Sequence, residues 1–249
     1  MVKTGGAWTK IPLYLGIGFA VTSWTGLILG SIGLLSVEAV SFVFVLLSLI
    51  LRKHFNLPIK ALKDLLTPFK NLTHGHPWLF YFALAYLLVR GFQTTLPQSH
   101  GDPLYYHLAS AWQYQTHHAL LFIPWAPWFL QGGLAELVYS MIGLWSGDRM
   151  LMMILAQGLH YFFAYPASFL VVMLLCRELR LSRPLSLIIG ICALSFVGGQ
   201  DALICAKNDG FVLFFMPSFF YATRKPSIFQ WQSFGQPMLF PSNLPLFFI

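Results

Sequence analysis

Two short acidic motifs carry the residue types from which a group-transfer site could be built. His100-Gly-Asp-Pro-Leu-Tyr-Tyr-His107 sets Asp102 beside two tyrosines and two histidines, and Lys207-Asn-Asp-Gly210 sets Asp209 two residues from a cation. A carboxylate can accept the proton of a hydroxyl, and a positive group or metal can stabilise a phosphate that departs. Asp102 is therefore the candidate base, Lys207 the candidate phosphate contact, and Asp209 a group that orients the phosphate or assists a divalent ion. Arg90 and Arg149 are further cations, and Tyr105, Tyr106, His107 and Trp112 are candidate substrate contacts. Each has a plainer use. Asp102 followed by Pro103 reads as a helix cap with proline at the first helical position, Asp148 in Ser146-Gly-Asp-Arg149 reads as a cap, and Asp209 before Gly210 reads as a turn residue or cap. Arg90 and Lys207 also suit cations that snorkel to lipid headgroups, and the aromatic residues suit interfacial anchors.

His100, His107, His117 and His118 crowd around the same stretch, but their spacing is not that of a zinc site. Hard oxygen ligands from Asp102 and Asp209 would suit a divalent ion better. His160 lies within an apolar run, where a bond to a neighbouring helix is expected in preference to metal ligation. The pairs Gly5-Gly6, Gly132-Gly133 and Gly198-Gly199 match no phosphate cradle, and Cys176, Cys192 and Cys205 form no disulfide or metal spacing.

The residues that must position these groups are mostly apolar: 57% of the 249 residues are hydrophobic and 9% charged, against about 25% charged in a typical globular chain. Apolar runs at Leu13 to Gly30, Val37 to Leu51, Trp78 to Thr95, Met150 to Cys176, Leu185 to Gly199 and Phe211 to Tyr221 predict an all-α polytopic membrane protein with about six transmembrane helices, the first a retained signal anchor. Twelve of the fifteen Lys and Arg residues flank these runs in four clusters, and six of the eight carboxylates lie in the stretches between. The basic clusters predict cytoplasmic termini and loops, leaving Glu38, Asp102, Glu136, Asp148, Asp201 and Asp209 on the outer side. The net charge of +7 thus points to anionic headgroups and not to nucleic acid.

The seventh apolar stretch, Ala119 to Trp145, holds Pro124, Pro127, Gly132-Gly133 and Glu136, and is expected to be broken or re-entrant on the outer side. Residues 103–118 are expected to form an interfacial helix, with Leu104, Leu108, Ala111 and Trp112 on one face and His107, Ser110, Gln113 and His117 on the other. Three regions follow: an amino-terminal hairpin with a basic cytoplasmic loop (1–76), a membrane region with outer acidic loops (77–225), and an irregular Pro-rich tail (226–249).

Asp102-Pro-Leu-Tyr-Tyr-His-Leu108 with the helix after it, and Ala206-Lys-Asn-Asp-Gly-Phe211 opening a later run, resemble the polytopic glycosyltransferases of the C superfamily, relatives of protein mannosyltransferases and aminoarabinose transferases. The resemblance covers roughly residues 77–225 and rests on these two motifs and their topology. It implies a polyprenyl-phosphate-linked sugar donor, an essential carboxylate in the first large outer loop at Asp102, a second at Asp209, and a bacterial inner-membrane location. Such enzymes continue through further spans, so the expectation is a truncated or inactive form. A small transporter and a noncatalytic assembly subunit are the alternatives; few ionisable groups at the span centres weigh against a conduit.

Overall fold

The computed structural model describes residues 11–51, 77–96, 101, 103–121, 133–196 and 209–224. Among the described residues every regular element is helical: α1 (Ile11–Ser31), α2 (Val37–Leu51), α3 (Pro77–Gln93), α4 (Leu108–His117, preceded by a π-helical turn Pro103–His107), α5 (Leu134–Ser146), α6 (Arg149–Glu178), α7 (Arg183–Phe196) and α8 (Asp209–Arg224). The six apolar runs thus form α1, α2, α3, α6, α7 and α8, with ends within a turn of those expected. Two of them, α1 and α6, are long and apolar enough to cross a membrane. The other four reach only about 21–26 Å at 1.5 Å per residue, short of a hydrocarbon core of about 30 Å.

The middle of α6 is adapted to its own sequence. Pro166 lacks the N–H that would continue the α-helical ladder, and Phe163–Ala167 opens into a π turn around it. The Phe163 carbonyl accepts from both the backbone N–H and the hydroxyl of Ser168, the latter at 2.6 Å.

Small residues let α1 closely approach both α5 and the chain just after α4. A Cβ added at Gly26 would lie 3.1 Å from the Leu137 Cβ, and one at Gly30 would lie 3.0 Å from Leu120 Cγ. Ser23 Oγ donates to the Leu134 carbonyl at 3.4 Å, so α5 starts level with the middle of α1 and runs beside it in the same direction. At the far end the Leu120 N–H donates to the Gly30 carbonyl and the Leu35 N–H to the His118 carbonyl, both at 2.9 Å. A tight hairpin then joins α5 to α6. Gly147 has φ 64° and closes α5 on the Gly143 carbonyl, and the Asp148 carboxylate accepts from the Leu151 N–H at 2.7 Å.

α3 runs against α6 in the opposite sense, with Leu79 near Met173, Tyr86 near Tyr165 and the Leu87 carbonyl accepting from the Tyr161 hydroxyl. α8 opposes α1: Phe211 packs on Phe19 with ring centroids 4.4 Å apart, and Phe215 faces Gly16 one turn nearer the start of α1. Exposed apolar stripes remain on α1 (Ile17, Trp24, Ile28), α2 (Phe42, Val45, Leu49), α3 (Phe82, Val89, Phe92) and α8 (Val212, Met216, Phe219), the pattern of helices with an apolar solvent on their outer faces.

The expected break before α5 is present at its described end. Gly133, at φ 26°, is the non-helical residue before Leu134; Pro124, Pro127 and Gly132 lie outside the described residues. The helix after Pro103 also ends where expected, with His118 in the left-handed region at φ 56°. Its sidedness is different. Leu104 is exposed, whereas Leu108, Ser110, Ala111 and Tyr114 are buried and His107 turns inward. The π turn offsets Leu104 from the stripe that α-helical spacing would give, because its bonds link residues five apart. Moreover α4 does not lie flat across the bundle: His107 meets Glu136 and Gln115 meets Gly143, so α4 stands beside α5 with the same direction.

Candidate functional site

Four helix ends meet at one level of α6. The carboxamide of Gln157 donates to the Leu96 carbonyl at 3.3 Å, just past α3. One turn later, the Gly210 N–H at the start of α8 donates to His160 Nε2 at 2.8 Å. Leu108, Ala135 and Phe211, from the first turns of α4, α5 and α8, belong to one buried cluster with Tyr139, Ala156 and Phe163. Tyr139 links two of these ends directly, its ring centroid lying 6.2 Å from that of Phe211. Residues three apart on a helix share a face, so Gln157 and His160 hold the end of α3 and the start of α8 on the same side of α6.

His160 is fully buried and accepts through Nε2, which commits its proton to Nδ1. It is the helix-bonded histidine expected from its place in an apolar run. Gly210 is required by this contact: a Cβ there would lie 2.7 Å from both Ala164 Cβ and His160 Nε2.

The interior also contains a carboxylate–imidazole pair. Glu136 Oε1 is hydrogen-bonded to His107 Nδ1, and the two side chains are 4% and 13% exposed, respectively. The second oxygen, Oε2, is buried without a hydrogen-bond partner among the described residues. Glu136 stands in the first turn of α5, where the positive end of the helix dipole favours a carboxylate. Its charge also reaches Tyr114, whose phenol is held above the ordinary tyrosine range by burial first and by Glu136 second.

The remaining expected site residues are dispersed. Tyr105 is 72% exposed, while Tyr106 meets the His107 ring edge-on. Arg149 lies at the α5–α6 hairpin with its guanidinium 3.6 Å from the centre of the Trp112 ring, and Arg90 is buried against Tyr86 and donates to Gln93 at 2.9 Å. Neither arginine is brought to the pair. Asp148 caps α6, as its sequence context implies. Asp102 and Lys207 lie outside the described residues, and for Asp209 the backbone alone is described, as the first residue of α8.

Among the described residues no three His, Cys, Asp or Glu side chains come together as a metal site. His118 is bonded to the Leu35 carbonyl at 2.9 Å, at the opposite end of α4 from His107. Glu136 is the residue that sequence reasoning passed over. Its signal was a lone charge in a long apolar stretch, which indicates a buried partner as readily as a helix break. No protein-family model, curated protein or solved structure matches the chain.

Proposed function

We propose that this chain is an integral-membrane glycosyltransferase, or part of one, that moves a sugar from a polyprenyl phosphate to an acceptor hydroxyl. The observation that supports it is the meeting of helix ends at Gln157 and His160. Leu96, held by Gln157, is followed within a few residues by Asp102; Gly210, held by His160, is preceded by Lys207 and Asp209. Leu96, six residues before the first of the two motifs that resemble the C superfamily, and Gly210, within the second, are thus held one turn apart on α6. The starts of α5 and α8 are electropositive ends suited to a phosphate.

In this reading Asp102 takes the acceptor proton, Lys207 neutralises the phosphate and Asp209 orients it. Six membrane passages, with short helices completed by tilt or by protein-lined water, accommodate the exposed apolar stripes. The level of Gln157 lies about 12 Å along α6 from its Arg149 end, at 1.5 Å per residue, so the site is a recess below the outer face. Binding of polyprenyl phosphate to the full chain in lipid nanodiscs tests the reading. Lys207→Ala should weaken that binding at least about tenfold, as expected for a charge-assisted phosphate contact. Equal binding by both proteins, or none by either, would count against it.

A further inference from the structure

We propose that His107 and Glu136 form a proton relay for this transfer, an inference that rests on the transferase reading above. A buried carboxylate is costly unless paired, and an ionisable pair in the interior of a membrane bundle is kept for chemistry more often than for stability. Here the pair is built in one direction. Glu136 is closed off, with Oε1 on the imidazole and Oε2 buried, while the partly exposed imidazole is the way into it. With Nδ1–H donated to the carboxylate, Nε2 is the ring atom left to accept a proton.

The surrounding groups leave the role to this pair. Tyr114 is the further titratable group on α4 that feels Glu136. Ser140, one turn along α5, is bonded to the Leu137 carbonyl, and His160 on α6 is committed to Gly210. Ser23 of α1 is bonded to the Leu134 carbonyl, and α8 contributes Asp209 at its start. Arg149 and Arg90 are engaged on Trp112, Tyr86 and Gln93.

The acceptor oxygen forms a bond to the anomeric carbon while its proton passes to the Asp102 carboxylate. The bond from that carbon to the phosphate oxygen breaks, and its electron pair leaves with the polyprenyl phosphate. The proton moves from Asp102 to His107 Nε2, Glu136 stabilises the imidazolium, and the proton is finally lost to water.

The test uses the full chain in nanodiscs, a panel of radiolabelled polyprenyl-phosphate hexoses and a membrane extract as acceptor source. His107→Gln and Glu136→Gln should each slow transfer by about tenfold or more while polyprenyl-phosphate binding is unchanged. His107→Ala should regain activity on addition of imidazole, a response that a merely structural role would not give. Variants that transfer at the wild-type rate, or a slowed His107→Ala that imidazole does not restore, overturn the relay alone. A wild-type chain that neither binds polyprenyl phosphate nor transfers from any donor overturns the transferase reading and the relay with it.

Discussion

Gly210→Ala is the substitution whose cost can be worked most fully from the structure. The added Cβ would fall 2.7 Å from Ala164 Cβ, 2.7 Å from His160 Nε2 and 2.9 Å from His160 Cδ2. Neither neighbour is the free end of a flexible chain: Ala164 has no rotamer to change and sits in the π turn, and the His160 ring is fully buried. The start of α8 must therefore move away from α6, and the move breaks the 2.8 Å bond from the Gly210 N–H to His160. Overpacking of this kind costs about 1–3 kcal/mol. Loss of the hydrogen bond adds about 1 kcal/mol, or more if Nε2 is left buried and unpaired. The sum, about 2–4 kcal/mol, corresponds to a fall in Tm of at least about 4 °C for a chain of this size. Thermal unfolding in detergent, followed by circular dichroism, is the assay. Gly210→Ser should behave similarly, because it places a Cβ at the same point. A Gly210→Ala protein that unfolds at the wild-type temperature would refute the close approach of α8 to α6, and with it the meeting of helix ends.

Other expectations follow from single contacts. Gly26→Leu should destabilise the bundle more than Gly18→Leu, since a Cβ at Gly26 already presses on Leu137 and Met141 whereas Gly18 has open space; equal melting of the two would refute α1–α5 contact. Asp148→Ala should cost about 1 kcal/mol by loss of the α6 cap while Asp148→Asn costs little, and an unchanged melting temperature for the alanine variant would sink that assignment. Breaking the buried pair from either side, by His107→Leu or Glu136→Leu, should cost about 3 kcal/mol or more, with the double variant less harmful than the sum; strict additivity would show that the two do not interact. For topology, a cysteine at Gln98 should label from outside and one at Lys63 should not, and the reverse pattern would overturn the orientation.

Much of the helical framework was legible because its causes are local. Apolar runs and their basic flanks mark α1, α2 and α6; Asp148 marks the start of α6; Gly133 marks the start of α5. His160 stood out as a polar residue in an apolar run, and it proves to hold the start of α8. What was not legible depends on pairing across distance. Glu136 and His107 are 29 residues apart, and nothing in either local sequence indicates the other. The inward turn of His107 and outward turn of Leu104 depend on a π turn, which shifts the register that α-helical spacing assumes. The fate of the short runs also escaped the pattern, because hydropathy reports that a helix is apolar and not where within a bundle it stops. α8 is such a helix: it begins beside the middle of α6, set there by Gly210 and His160.

The most direct test of the central claim is sugar transfer by Asp102→Asn in a full-length, membrane-inserted protein. Asparagine can still cap a helix, so the substitution removes a proton acceptor and little else. The account predicts a rate from polyprenyl-phosphate sugar about a hundredfold or more below wild type, with insertion and melting temperature unchanged. Transfer at the wild-type rate would contradict it.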